Sequence, residues 1–129
     1  MKYTKRILSL VLAVVMICAV AVTVSAASYN WMGEYGSSHY EVVDNCGDGK
    51  YSSTTLLDTA DYTVHSDVDL LEANYVNGNF VSTWVRVSVN GTPALMASVT
   101  SGTYNFTLYE MQCRHYVNGD YVHTGYVSP

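Results

Sequence analysis

"YVNGNFVST" occupies residues 75–83 and "YVNGDYVHT" residues 116–124. Two near-copies in one short chain mean either a duplicated module or a recurring turn. Asn-Gly is the strongest short hairpin signal, because both residues tolerate the positive φ of a type I′ turn. It recurs at 77–78, 90–91 and 118–119, and Ser101-Gly102 is a weaker fourth candidate. After each repeated tip the chain diverges, into Trp84-Val85-Arg86-Val87 and into Gly125-Tyr126-Val127. The repeats therefore read as two hairpin tips. Tyr, Val and Thr dominate around them, and no stretch after the N-terminal apolar run has convincing helical periodicity.

Working outward, each turn fixes a register. A two-residue turn at Asn77-Gly78 pairs Tyr75 with Phe80, Leu71 with Trp84 and Asp69 with Arg86. Turns at Asn90-Gly91 and Ser101-Gly102 extend the same face through Leu95, Ala97, Val99, Tyr104, Phe106 and Leu108. Directly opposed residues share a face, and so do alternate residues along a strand. The expectation is an antiparallel meander with one buried face, Trp84 in its core. Further strands are expected around His39–Val43 and Tyr62–Ser66, with a hairpin over Met111–Val117 and Tyr121–Val127. Asp44 to Ser53 reads as a turn-rich loop. Seven to nine short strands predict an all-β fold, a small antiparallel sandwich or barrel built from hairpins.

The N-terminus has a different character. A cationic MKYTKR, an apolar run from Ile7 to Val24 and a small-residue SAAS compose a helical secretory signal peptide. The expected division is a signal over 1–27 and one secreted β domain over 28–129, with no stable membrane span after the signal is removed. Cys18 leaves with the signal. So do Lys2, Lys5 and Arg6, so three cations face eleven acidic residues in the remainder, a formal charge of −8. Phosphate backbones need a basic surface, which argues against a nucleic-acid partner.

Two cysteines remain, Cys46 and Cys113. In an oxidising compartment an isolated pair most simply forms one disulfide. Two free thiols are the rival reading. The histidines His39, His65, His115 and His123 read as surface residues. A two-residue turn at Asn118-Gly119 sends His115 and His123 to opposite faces, and a longer turn would bring them together. No metal site or cofactor is expected. "DNCGDGKYS" (44–52) has Asp44, Asp48 and Gly49 at calcium-loop spacing, but Cys46 stands at an oxygen-ligand position and Thr55 where a bidentate Glu belongs. Asp67 and Asp69 share a strand face and read as a solvated acidic edge. No G-x-S-x-G elbow or other nucleophile signature appears.

Aromatic side chains carry the functional reading. Trp31, Tyr35 and Tyr40 lie on or beside a Gly/Ser-rich stretch, Ser28 to Ser38, which reads as a loose arm with aromatics available for contact. The alternative is that the stretch adds an edge strand and Trp31 plugs the core. Aromatic faces stack on the apolar sides of sugar rings, so a glycan suits both the aromatics and the acidic charge. "WMGEYGSSHY" (31–40), "WVRVSV" (84–89) and "YTVHS" (62–66) resemble segments of the lactococcin-type secreted bacteriocins. The resemblance implies a small secreted β-sandwich that binds a cell-wall precursor and blocks septum formation. This chain is longer, more acidic and carries a cysteine pair. The expected function is a secreted, non-catalytic β domain that binds a cell-envelope component. A secreted glycan- or ligand-binding module is the alternative, and a small hydrolase a third reading.

Overall fold

Three two-residue turns ending in glycine, besides a fourth at Gly36-Ser37, organise the fold seen in a computed structural model, which describes residues 27–129 apart from the side chains of Trp84 and Val85. The turns are Asp48-Gly49, Asn77-Gly78 and Asn118-Gly119. In each the first residue has φ of 52–54° and the glycine φ of 75–79°. Those values are the type I′ signature, whose twist matches that of the flanking strands. The signal-peptide expectation, 1–27, lies outside the described residues except for Ala27, which begins a strand and pairs with Cys46.

The described residues form nine antiparallel strands. They are β1 (Ala27–Tyr35), β2 (Ser38–Gly47), β3 (Lys50–Leu57), β4 (Thr63–Val76), β5 (Asn79–Asn90), β6 (Ala94–Leu95), β7 (Ala97–Thr103), β8 (Leu108–Val117) and β9 (Asp120–Val127). One sheet has the order β1-β2-β3-β7. The other has β5-β4-β8-β9, with β6 continuing beside β4. The fold is all-β. The expected strands near 39–43 and 62–66, and the hairpin over 111–127, are present. The loop expected over Asp44 to Ser53 is instead the β2–β3 hairpin. Its Asp-Gly pair is a hairpin signal in its own right.

The two sheets share their interior. Cys46 and Tyr51 of the first pack with Val68, Leu70, Leu108, Met111, Cys113 and Val127 of the second. A neighbouring cluster joins Tyr40, Val42 and Leu57 to Val64 and Val117. Period-2 alternation produces this on β8, where Met111, Cys113, His115 and Val117 are buried and the residues between them are not.

Two expected turns do not form. Ser101-Gly102 lies within β7, paired with β3. There a Cβ on Gly102 would sit 2.7 Å from the Tyr51 hydroxyl oxygen. At Asn90-Gly91 the chain does not reverse: it continues along β4 as β6, then crosses at Met96 to the other sheet as β7. Met96 takes a positive φ of 68°, rare outside glycine and asparagine, and its carbonyl accepts from Leu57 N at 2.7 Å. The single face assembled from three turns is therefore wrong. Ala73 and Leu108 are buried, but Tyr75, Phe80, Leu95 and Val99 are exposed. Trp84's side chain lies outside the described ones.

The β4–β5 hairpin starts as expected, with Tyr75 opposite Phe80. Irregularities between Glu72/Ala73 and between Asn74/Tyr75 then shift it twice, so Leu71 faces Arg86 and Asp69 faces Ser88. Two one-residue shifts restore the original face. Arg86 thus still reaches Asp69, as an ion pair across the diagonal, and β5 is a sheet edge. Asp69 is not a solvated acid. It is buried on β4, with Arg114 Nη2 also 3.4 Å away and Ser88 Oγ donating at 2.7 Å.

Candidate functional site

The stretch from Ser28 to Ser38 is not a loose arm. Residues 27–35 are β1, paired residue by residue with β2. The strand runs at the edge of its sheet and faces β9 of the other, so Tyr29, Trp31 and Tyr35, two and four residues apart, all reach one seam. Trp31 lies flat on the imidazole of His123, with ring centroids 4.9 Å apart and planes 2° from parallel. The residue nonetheless stays 48% exposed. It neither dangles nor plugs the core; it forms a backed platform at the surface.

His123 is fixed from a second direction. Tyr29 Oη lies 2.5 Å from its Nε2, and the two rings stack at 5.7 Å. Burial pushes the His123 pKa down, and the nearby His115 adds to this, against a smaller pull from Asp44. The Tyr29 hydroxyl and the imidazole share this hydrogen bond, so the phenol and the ring hold each other in place.

Tyr35 sits farther along the seam. Its hydroxyl donates to the Asp120 carboxylate, and its ring meets Tyr62 edge-on at 5.2 Å. The Asp120 hydrogen bond is the main reason its pKa is raised. Tyr40 does not join them. It is 6% exposed, with its ring over the bare face of Gly33, where any Cβ would overlap it. Of the three aromatics expected to make contact, Trp31 and Tyr35 line the seam and Tyr40 belongs to the core.

Beneath the platform lies a polar network that sequence reasoning did not find. Asp44 on β2 accepts from Ser53 Oγ at 2.7 Å and pairs with His115 Nε2 at 2.9 Å. His115 Nδ1 is 2.7 Å from Thr55 Oγ1, which also lies 3.1 Å from the His65 carbonyl. Asp44, Thr55 and His115 have no exposed surface. An Asp–His–hydroxyl series could relay a proton, but no substrate reaches one sealed between two sheets. Gly125 leaves the space that the Asp44 carboxylate and the Tyr29 ring fill.

The histidines were expected on the surface and, with a two-residue turn, on opposite faces. The turn has two residues, but a bulge between His115 and Tyr116 puts His115 directly opposite His123. A single extra residue flips every side chain beyond it, and nothing in "YVNGDYVHT" announces the bulge.

Cys46 and Cys113 are both buried in the shared core. They are free thiols here, not the expected disulfide. Burial pushes the Cys46 thiol up to about 11, and burial and Asp44 raise Cys113 well above the ordinary range. Among the described residues no three of His, Cys, Asp or Glu converge to hold a metal ion. No helix among them is long and apolar enough to cross a membrane. Comparison with protein-family models, with curated proteins and with solved structures finds no match.

Proposed function

We propose that the two sheets form a small β-sandwich, exported and non-catalytic, that binds a glycan of the bacterial cell envelope through the Trp31 platform. The observation that carries this reading is the half-exposed indole backed by His123. A sugar ring stacks best on an aromatic face that is already immobilised, because little side-chain freedom is then lost on binding. Tyr35 and the Asp120 carboxylate stand farther along the same seam, with hydrogen-bonding atoms suited to sugar hydroxyls. The formal charge of −8 favours a neutral ligand over an anionic one. Binding without turnover is supported by the closure of the Asp44–His115–Thr55 series. The resemblance to lactococcin-type bacteriocins points to the same envelope, and growth inhibition of related bacteria is the readout specific to it.

The test is retention on purified peptidoglycan sacculi and on an insoluble neutral polysaccharide. The native chain is expected to be retained on at least one. Trp31→Ala should weaken retention by about thirtyfold, the equivalent of a ~2 kcal/mol hot spot, with an unchanged melting temperature. If the native chain passes through both materials, or if Trp31→Ala binds as well as the native chain, the platform is not a glycan site.

A further inference from the structure

The β4–β5 hairpin outruns the sheet that carries it. Pairing of β4 with β8 ends at Glu72, and the last backbone hydrogen bond to the body is Ala73 N donating to Thr107 O at 2.8 Å. From Asn74 to Ser82 the two strands pair only with each other. Tyr75, Val76, Phe80 and Val81 on this ribbon are all 47–56% exposed. Phe80 stacks on the exposed Tyr109 ring at 4.9 Å and meets Tyr75 edge-on at 5.8 Å. No charged residue occurs from Ala73 to Val85, although the chain around it is strongly acidic.

We propose that this ribbon is a membrane-contact element, seating its aromatic tip in the interfacial region of a zwitterionic phospholipid bilayer. Three features select that occupant. Tyr75 and Phe80 are directly opposed and share one face of the ribbon, while Val76 belongs to the other. A flat protein partner, including a second copy of the chain, would cover one face. An interface surrounds both. Tyr and Phe place an apolar body and, in Tyr, a polar end where bilayer interfaces accommodate them. The turn residues Asn77, Gly78 and Asn79 keep water and headgroup partners, so the tip lies in the interface and does not cross the hydrocarbon. The uncharged stretch also sets the lipid. A chain with charge −8 is repelled by an anionic leaflet, and only an uncharged tip approaches a zwitterionic one without that penalty. This element is separate from the Trp31 platform and does not depend on it.

Flotation of the full exported chain with pure phosphatidylcholine vesicles tests the proposal. The native chain is expected to float, and a Phe80→Asn/Val81→Asn variant to lose at least tenfold in partition while keeping its melting temperature. Trp31→Ala should float like the native chain, which separates this element from the glycan site. Replacing about a third of the lipid by phosphatidylglycerol should weaken binding. The proposal is overturned if the native chain stays with the aqueous phase, if the double variant floats equally well, or if anionic lipid strengthens binding. It is also overturned if the double substitution dissolves an oligomer seen by sedimentation equilibrium, which would make a second copy the occupant.

Discussion

Asp44 touches both sheets: Ser53 from its own and His115 from the other. A buried carboxylate is tolerated only when its oxygens are satisfied, and here both are. Removing it leaves His115 buried without its partner. Asp44→Ala should therefore cost about 3–5 kcal/mol, measurable by urea unfolding. A loss under ~1 kcal/mol would mean that water replaces the carboxylate and the network is not closed. The cysteines allow a second residue-level test. With Cys46 pushed up to about 11, only about one thiol in a thousand is ionised at pH 8, and the thiolate is the reactive form. Iodoacetamide at pH 8 should leave both cysteines unmodified in the folded chain and alkylate both in denaturant, as read by mass spectrometry. Rapid labelling of the native chain would place at least one thiol at the surface. No labelling even in denaturant would mean that the two are bridged in the folded protein.

Among the elements, what could be read in advance was local and what could not was tertiary. Asn77-Gly78 and Asn118-Gly119 turn where expected because a type I′ turn is a property of two residues. Gly91 and Gly102 look the same in sequence and do something else: each leaves room for a neighbour from elsewhere in the fold. A Cβ on Gly91 would overlap the Ser66 carbonyl oxygen and Thr100 Oγ1. Gly91→Ala should therefore cost about 1–3 kcal/mol through overpacking against backbone. Gly102→Ala presses on the Tyr51 side chain rather than on backbone, at 2.7–2.9 Å and so farther than the nearest atoms at Gly91, and should cost less. Equal melting temperatures for the two variants would contradict this distinction. The bulges on β5 and β9 were illegible for a related reason. They change which residues oppose each other without requiring a special residue type, so His115 opposite His123 could not be read from turn length. The Trp31 platform was half legible: an aromatic in a turn-poor segment stood out, but its backing by a residue 92 positions away did not.

Across the whole molecule, the ionisable groups divide by depth, and their linkage to folding follows. His123 has its pKa lowered by burial and by His115, so the unfolded chain takes up its proton first. Its contribution to stability is complete above the unfolded value of about 6.5 and is lost as pH falls through the folded value. Asp69 is also lowered, although burial alone would raise it. Hydrogen bonds from Arg86 and Ser88, with the charges of Arg114 and Arg86, outweigh that burial. Its contribution is complete above about 3.9 and is lost as pH falls further. Two of the three Lys and Arg side chains among the described residues, Arg86 and Arg114, pair with this one carboxylate. Calorimetry from pH 8 to pH 3 should give a melting temperature that is level to about 6.5, dips shallowly below it, and falls more steeply below about 4. His123→Gln should remove the upper step and keep the lower. Asp69→Asn should lower the melting temperature at neutral pH and flatten the acid fall. If His123→Gln leaves the upper step in place, the imidazole beneath Trp31 is already solvated. The indole would then lack the fixed backing on which sugar stacking depends.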